Sequence, residues 1–388
     1  ITREYYYNDA GKQMRVLGQS CYAKYANKIG RKFESPENGY IGEYLDDIAE
    51  KMIQEYGNDL DKNDEKFRTF TEKEIFKNIQ ETLNNLNIVF DVFSKEKSFY
   101  DNGSIDKVLK GLEKLSLSYK KDGAVWFKTT DLGKEEDKVL VKSTGEPTYR
   151  LPDIAYHIDK IEREFDLIID VFGADHIDTY PDVLLALESL GHNIDHIKVV
   201  IHQFVTLKEG GKAVKMSTRK ANFVTLDELI EKLSADIIRY FFIMRGANSH
   251  LDFDLSLAMD ESEKNPVYYL QYAHARISNL GKRFKKEVGE SKKINLQLLE
   301  EEDEISLMKK LSQFPKKMEQ LHKSLEPRQL ATYLEELAAQ YHKFYGNHKV
   351  IDLDNTELSH ARMALCDATQ IIFKIGLSIL GITAPERM

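Results

Sequence analysis

The sequence predicts an α/β domain built on a parallel sheet, followed by an all-α bundle. Residues 167–173 and 197–202 are near-continuous apolar runs, the pattern of strands buried in a parallel sheet. Residues 178–190 between them have helical character, and Gly191 ends that helix, so the three segments form a βαβ unit. After Leu226 the pattern becomes almost wholly helical.

The composition is that of a globular protein with two or three domains. Of 388 residues, 42% are hydrophobic and 31% are charged, which excludes wholesale disorder. No apolar run approaches the ~20 residues that a membrane helix needs, and no secretory signal is visible. Two cysteines, Cys21 and Cys366, fit a reducing, cytoplasmic setting. The formal net charge of −9 argues against a general nucleic-acid-binding protein.

The α/β part, residues 1–225, contains further candidate strands. Residues 1–7 and 87–93 are β-branched and aromatic runs. Residues 124–129 and 138–141 flank a charged turn and predict a hairpin within an insertion. Two edge strands of the main sheet explain that last pattern equally well.

The helical part consists of a connecting segment, residues 226–262, and a bundle, residues 263–388. One apolar stripe follows Pro327, and Gly381 ends another. Such stripes are typical of a bundle core. Their members are Leu330, Tyr333, Leu334, Leu337, Tyr341 and Phe344 in the first, and Leu358, Ala361, Leu365, Ala368, Ile372 and Ile375 in the second.

A basic loop is the first candidate for chemistry. Residues 214–220 read VKMSTRK and follow Gly210 and Gly211, which supply the freedom to close. Cations and hydroxyls beyond the carboxyl end of a parallel strand suit a phosphate ligand, because they stabilise charge that builds as pyrophosphate leaves. A solvated basic loop is the alternative.

Two further segments place polar groups next to predicted elements. Residues 173–176 read GADH and follow a strand, where Gly permits close backbone approach and Asp accepts from ribose hydroxyls. Tyr149 and Asp153 share one face if a helix starts at this point, and a carboxylate with a nearby phenol suits a guanidinium. A polar strand end, and an Asp that caps a helix with Tyr in the core, are the alternatives.

The helical tail interleaves aromatic side chains with cations. Residues 265–276 read NPVYYLQYAHAR, and a second cluster spans residues 341–349. Aromatic rings among cations suit single-stranded RNA bases, whose stacking stabilises binding by ~1–3 kcal/mol each. An aromatic core with charged edges is the alternative.

These motifs together resemble the arginyl-tRNA synthetases, a family of class I aminoacyl-tRNA synthetases. Residues 215–219, KMSTR, resemble the KMSKS signature of class I, and residues 220–226, KANFVTL, resemble its continuation in the arginyl enzymes. Residues 381–388, GITAPERM, are similar to the end of that family. The resemblance implies a partial Rossmann-type class I synthetase catalytic domain followed by an all-α anticodon-binding bundle.

The resemblance also implies a role for each motif. Thr218 replaces the usual catalytic lysine, so the cation that acts there is one of the loop residues or a residue outside the chain. Lys95 and Lys97 leave Glu96 open to a second interpretation as a surface charge. The implied sets are Lys215, Ser217, Arg219 and Lys220 for catalysis, Glu96, Tyr149, Asp153 and His176 for arginine, Gly173, Asp175, Phe204, Val205, Lys215, Met216 and Ser217 for ATP, and Tyr341, Tyr345, Asn347 and Met388 for tRNA.

The implied reaction is the ATP-dependent joining of L-arginine to tRNA-Arg, with Mg²⁺ entering alongside ATP and without a fixed metal site. The family's HIGH signature is missing, so we expect the chain to begin inside the catalytic domain and to charge little tRNA alone. A cytoplasmic monomer without a membrane partner is expected. A class I synthetase for another amino acid and a non-catalytic RNA-binding fragment remain the other hypotheses.

Overall fold

The computed structural model describes residues 1–214, 224–291 and 293–388, which form two compact units. The first unit comprises residues 1–84 and 88–202. Residues 85–87, together with the described residues from 203 onward, form the second. Residues 215–223, which include the predicted loop residues Lys215, Met216, Ser217, Arg219 and Lys220, lie outside the described part.

The first unit alternates strands with helices. Its elements in chain order are β1 (Glu4–Tyr7), α1 (Gly11–Lys28), α2 (Tyr44–Tyr56), α3 (Lys66–Asn85), β2 (Val92–Lys95), α4 (Glu96–Asp101), α5 (Ser104–Lys114), β3 (Ser118–Lys121), β4 (Ala124–Phe127), β5 (Lys138–Val141), α6 (Arg150–Glu162), β6 (Ile168–Gly173), α7 (Tyr180–Ser189) and β7 (Ile197–His202).

Parallel pairing organises the strands that lead to the candidate site. β1 pairs in parallel with β2, and β6 pairs in parallel with β7. α7 joins β6 to β7, so the predicted βαβ unit is confirmed. Because parallel strands point the same way, Tyr7 and Lys95 end side by side, as do Gly173 and His202. The carboxyl ends of such strands are where ligands bind in α/β folds.

β3, β4 and β5 form an antiparallel sheet of their own. The hairpin prediction for residues 124–141 is therefore confirmed, and the interpretation as edge strands of the main sheet is wrong. The apolar run at 87–93 is extended only from Val92, because Asn87 takes a left-handed conformation (φ 56°) that closes the end of α3. Val89 consequently lies exposed.

Helix α6 packs against α4, α5, α7 and β5 and holds the centre of the first unit. Leu151, Ile154 and Ala155 are buried along it because apolar residues recur at helical spacing. Ion pairs connect the helix and the residue after it to neighbouring elements. Arg150 binds Asp182 of α7 at 2.7 Å, and Arg163, just after the helix, binds Glu4 of β1 at 2.8 Å.

The second unit is mainly helical. Its elements in chain order are β8 (Val205–Glu209), β9 (Lys212–Ala213), α8 (Leu226–Lys232), α9 (Ala235–Ile243), β10 (Leu251–Asp254), α10 (Leu255–Ala258), α11 (Pro266–Glu287), α12 (Glu302–Ser312), α13 (Phe314–Ser324), α14 (Arg328–Asn347) and α15 (Thr356–Ile379).

One short strand interrupts the predicted helical region. β10 pairs in parallel with β8, which in turn pairs with β9. Leu251 and Phe253 of β10 are buried, while Asp252 between them binds Lys208 of β8 at 2.6 Å. Buried and solvent-facing side chains therefore alternate along the strand, as expected for a strand with one buried face. With only four residues, this alternation is too short to be distinguished from a helical pattern in the sequence.

The first predicted apolar stripe is confirmed in α14, where all six members are buried. The second stripe is partly wrong. Ala368 and Ile375 of α15 face outward, whereas Cys366, Thr369 and Phe373 are buried. α15 has apolar residues on its exposed side as well as on its buried face. The helical periodicity of the sequence therefore predicted a buried stripe that is displaced from the true one.

The last residues of the chain are fastened to α9 and α11. The Asp236 carboxylate of α9 accepts hydrogen bonds from Thr383 and from the Gln271 amide of α11, the latter at 2.8 Å. His274 Nδ1 lies 2.8 Å from the Pro385 carbonyl oxygen. Arg239 donates to the Leu380 carbonyl. These bonds hold the terminal segment in one place within the second unit.

Candidate active site

Two carboxylates converge in the first unit. Glu96 is the first residue of α4 and follows β2 directly, where the chain turns inward; its side chain is only 5% exposed. Lys95 and Lys97 on either side face solvent. The interpretation of Glu96 as a surface charge is therefore wrong.

Asp153 is the second acid and lies in the first turn of α6. No residue that the structure describes offers its carboxylate a hydrogen bond or an ion pair. Burial, together with the nearby charge of Glu96, raises the pKa of the Asp153 carboxyl to about 7. Burial also raises the pKa of Glu96, although Tyr100 donates a hydrogen bond to it at 3.1 Å. The unit thus holds two crowded acids without a matching cation at Asp153.

Phenol rings line the space around these acids. Tyr6 of β1 stacks on Tyr156 of α6, with ring centroids 4.5 Å apart. The Tyr6 hydroxyl is buried close to Glu96 and Asp153 but finds no partner at hydrogen-bonding geometry among the described residues. Burial and then the two carboxylate charges raise the pKa of both Tyr6 and Tyr100. Both phenols therefore keep their protons and are available as donors.

Sequence reasoning missed Tyr6 and Tyr100. A signal for Tyr100 existed, because Glu96 and Tyr100 are four residues apart and so share one face of a short helix. Tyr6 gave no such signal, since it lies 90 residues from Glu96 and is one of three consecutive tyrosines. Only the parallel register of β1 and β2 brings it to the pocket.

Tyr149, the other residue predicted to accompany Asp153, is the residue just before α6. Its carbonyl accepts a hydrogen bond from the Asp153 amide at 3.2 Å. Its side chain is 62% exposed, so the alternative of a Tyr in the core is wrong. An exposed phenol at the start of the helix that carries Asp153 is accessible to a ligand.

The predicted turn after β6 forms a short 3₁₀ segment, Ala174–His176, at the carboxyl end of the strand. The His176 ring stacks on Phe172 with centroids 5.0 Å apart, and its Nε2 lies 4.0 Å from the Asp175 carboxylate. A Cβ at Gly173 would sit 2.6 Å from Asp175 Oδ1. Gly at this position therefore lets the Asp175 side chain fold back over the backbone.

Phe204 and Val205 belong to the second unit. Phe204 is 69% exposed and precedes β8, whose first residue is Val205. The Phe204 carbonyl accepts from the Leu251 amide at the start of β10. An exposed ring before a strand offers a surface for stacking, as the ATP prediction requires.

A cavity of about 230 Å³ in the second unit contains two of the predicted tRNA residues. The Arg276 guanidinium lies 4.3 Å from the Tyr345 ring centroid and 5.4 Å from that of Tyr272. Met388, the last residue, closes another side. A guanidinium between aromatic rings forms a flat, positively charged surface suited to an unstacked base.

Tyr341 does not share this surface. It is fully buried in the bundle, so its predicted contact with RNA is wrong, and the alternative of an aromatic core holds for this side chain. Asn347 is exposed but donates to Asp303 at 2.8 Å, within a cluster that also includes Lys343 and His348. That bond orients the Asn347 amide along the end of α14.

Comparison with protein-family models gives two matches. Residues 21–239 match the catalytic domain of class I tRNA synthetases (R), and residues 270–388 match the DALR anticodon-binding domain. The parallel strand pairs and the helical bundle agree with these matches. The fold is therefore that of a class I aminoacyl-tRNA synthetase catalytic domain joined to a helical anticodon-binding domain.

Comparison with individual proteins identifies the family. The chain is 52% identical to arginine–tRNA ligase of Desulfotalea psychrophila and 48% identical to that of Salinibacter ruber, over its whole length and 71% and 72% of theirs. It also resembles a crystal structure assigned as an arginyl-tRNA synthetase from Campylobacter jejuni, with TM-score 0.88, 28% identity and coverage of 100% of this chain and 85% of that one. The chain belongs to the arginyl-tRNA synthetase family.

No described helix combines the length and the apolar character that crossing a membrane requires.

Proposed function

We propose that this protein activates L-arginine with ATP and transfers it to the 3′ end of tRNA-Arg. The observation that most supports arginine as the substrate is the Glu96–Asp153 pair. Glu96 is buried, Asp153 is largely shielded from water, and no described cation forms an ion pair with Asp153. A guanidinium is planar, permanently charged and matched to carboxylates, so it satisfies both acids.

Charge explains why other amino acids bind poorly in this proposal. A neutral side chain would leave both carboxylates unpaired in a poorly solvated place, which is costly. A lysine ammonium is a compact point charge and cannot bind a carboxylate bidentately. The Tyr6 and Tyr100 phenols add shape and donors around the acids.

In the proposed reaction, the arginine carboxylate attacks the α-phosphate of ATP to give arginyl-adenylate and pyrophosphate. A ribose hydroxyl of the tRNA then takes the arginyl group, without a covalent enzyme intermediate. The enzyme contributes placement and charge stabilisation. Mg²⁺ is proposed to arrive bound to the ATP phosphates.

The proposed roles follow the chemistry of each segment. The Gly173–His176 turn meets the adenylate ribose and the amino acid, because it combines an open backbone, a carboxylate and a ring at a strand end. The cations and hydroxyl of the basic loop stabilise the leaving pyrophosphate. The proposed loop residues are Lys215, Ser217, Arg219 and Lys220, with Met216, Phe204 and Val205 at the nucleotide.

The cavity formed by Arg276, Tyr345 and Met388 is proposed to hold an unstacked base of the tRNA anticodon loop. We propose domain limits of 1–225 for the catalytic domain, 226–262 for the connection and 263–388 for the anticodon-binding domain. We also propose that the protein is a monomer and acts in the cytoplasm.

Steady-state aminoacylation by the full-length gene product tests the arginine pocket. Asp153→Asn should raise the KM for arginine by about 30- to 1,000-fold, which corresponds to ~2–4 kcal/mol for unpairing a guanidinium. The exposed Asp106→Asn in α5 serves as the matched control and should leave that KM unchanged. An unchanged arginine KM in Asp153→Asn, or charging by another amino acid in the wild type, would overturn the proposal.

A further inference from the structure

A buried charged network lies behind the Asp153 carboxylate, and the proposed reaction uses none of its members. His157 and Lys160 come from α6, and Asp170 comes from β6; their exposures are 3%, 5% and 8%. Lys160 Nζ pairs with one oxygen of Asp170, and His157 Nε2 lies 3.0 Å from the other. His157 Nδ1 lies 2.7 Å from the carbonyl oxygen of Asp153.

His157 contacts two acceptor groups through its two ring nitrogens. A carbonyl oxygen only accepts, so Nδ1 must donate to Asp153. Burial acts to raise the pKa of Asp170, but hydrogen bonds and positive charge from His157 and Lys160 outweigh it and hold that pKa at about 2. Asp170 is therefore ionised, and its second oxygen lies within hydrogen-bonding distance of His157 Nε2.

The cation of this network is Lys160, which forms a buried ion pair with Asp170. Lys160 acts on Asp153 directly, since its charge opposes the effects of burial and Glu96 on that carboxyl. The Lys160 charge thus partly compensates an acid that forms no ion pair among the described residues, and its effect on Asp153 exceeds the opposing effect of Asp170.

The same network joins the two parts of the candidate site. His157 lies one helical turn after Asp153, and Asp170 lies three residues before Gly173. The His157 ring also approaches Phe172 at 6.4 Å between centroids, and Phe172 stacks on His176. A continuous set of contacts therefore runs from the helix that carries Asp153 to the turn that carries His176.

We propose that His157 and Lys160, anchored on Asp170, are positioning residues for arginine. They fix the helix of Asp153 against the strand of the Gly173–His176 turn and keep the Asp153 carboxylate charged for the guanidinium. This inference rests on the proposed arginine site and adds two residues that contact no substrate atom.

The proposal has a pH signature that a purely structural role lacks. Removing the Lys160 charge should make Asp153 harder to ionise, so the midpoint below which the arginine KM rises should move to higher pH. The groups that face Asp153 from the surrounding elements are Glu96 and Tyr100 of α4, Tyr6 of β1, Lys160 of α6 and Asp170 of β6.

The test measures KM for arginine and for ATP against pH in the full-length gene product. We expect Lys160→Met to move the midpoint up by half a pH unit or more, to raise the arginine KM at pH 7 by about twofold or more, and to change the ATP KM less than twofold. Lys160→Arg, which keeps the charge, should restore the wild-type midpoint. Arg163→Gln breaks a different ion pair of the α6 region and should leave the midpoint unmoved.

A second variant keeps the test decisive if Lys160→Met fails to fold. His157→Gln retains one amide donor, leaves Lys160 to balance Asp170, and should also raise the arginine KM. In an Asp153→Asn background this increase should vanish, because the residue acts through Asp153. An unmoved midpoint, an equal rise in the ATP KM, or an undiminished effect in the Asp153→Asn background would overturn the proposal. Failure of the wild type to charge tRNA with arginine would instead overturn the proposed function.

Discussion

The Asp153 carboxyl is largely removed from water and close to Glu96, and these two causes raise its pKa to about 7. Its protonation therefore changes within the range in which enzymes are assayed. A guanidinium binds the ionised form, so arginine binding and ionisation are linked.

This linkage predicts the pH dependence of the arginine KM. An acid with a raised pKa becomes protonated as pH falls through that value, so binding weakens below about pH 7. We expect the arginine KM to be about tenfold higher at pH 6 than at pH 8. The ATP KM measured in the same assays is the control. An arginine KM that is flat between pH 6 and 8 would count against an ionisable Asp153 in the pocket.

Asp153 should also limit stability in the absence of arginine. The pKa of Asp153 is about 7 in the folded state and near 4 in the unfolded state. Folding therefore receives its full contribution from this group below about pH 4, and the contribution is lost as the pH rises through about 7. Asp153→Asn removes the buried charge, so it should increase the free energy of unfolding at pH 8 by about 1–3 kcal/mol.

Urea unfolding of the wild type and Asp153→Asn at pH 8 and pH 5 measures this effect. The gain should fall to less than half at pH 5, because Asp153 is then protonated in the folded state. A variant that is less stable than the wild type at pH 8 would show that the ionised acid stabilises the fold instead.

At the scale of elements, one carboxylate connects the C-terminal residues of the chain to helices α9 and α11. Asp236 of α9 is 8% exposed and accepts from both Gln271 and Thr383. Asp236→Ala leaves these donors without their acceptor, so it should lower the free energy of unfolding by about 1–3 kcal/mol. Asp354→Ala, in an exposed loop, is the control. Equal unfolding midpoints for the two variants would show that the segment is held by other contacts.

Several elements were predictable because their signals are local. The strands β6 and β7 are near-continuous apolar runs, although Ile169 and Val171 of β6 are exposed and the predicted burial of that strand is partly wrong. Helix α6 begins where the sequence predicts a helix around Asp153. β10 was not predictable, because its four residues LDFD are too few to stand out among helical segments. The buried face of α15 was misassigned because Ile371, Ile375 and Ile379 add an exposed apolar row.

The candidate site was predictable only in part. Asp153 and the Gly173–His176 turn lie in short motifs that the sequence was sufficient to select, whereas Glu96 was selected only through the family resemblance. Tyr6 joins the pocket through strand pairing over a long separation, which no local pattern reveals. The apolar stripe of α14 includes Tyr341 and omits Tyr345, so periodicity already predicted that Tyr341 is in the core; the RNA contact assigned to it came from the family resemblance, and its full burial excludes that contact.

At the scale of the whole molecule, the proposed contacts for different substrates lie in different compact units. The acids proposed for arginine belong to the first unit, and the Arg276–Tyr345 cavity belongs to the second. Variants in one unit should therefore affect mainly the substrate that this unit binds.

Tyr345→Ala tests this division. It removes a stacking surface, which should raise the KM for tRNA-Arg by about 5- to 150-fold, the range that corresponds to ~1–3 kcal/mol. The arginine KM at saturating tRNA should stay within twofold of the wild type. Tyr22→Ala would perturb the core of the first unit, so the exposed Tyr40→Ala is the better control. A larger change in the arginine KM than in the tRNA KM would contradict the division.

The most direct measurement is a crystal structure of the full-length gene product with bound L-arginine. The guanidinium should lie between Asp153 and Glu96, with at least one nitrogen–oxygen distance of about 2.7–2.9 Å to each carboxylate. Arginine bound with its guanidinium away from both acids, while Asp153 remains without a cation, would contradict the proposed pocket.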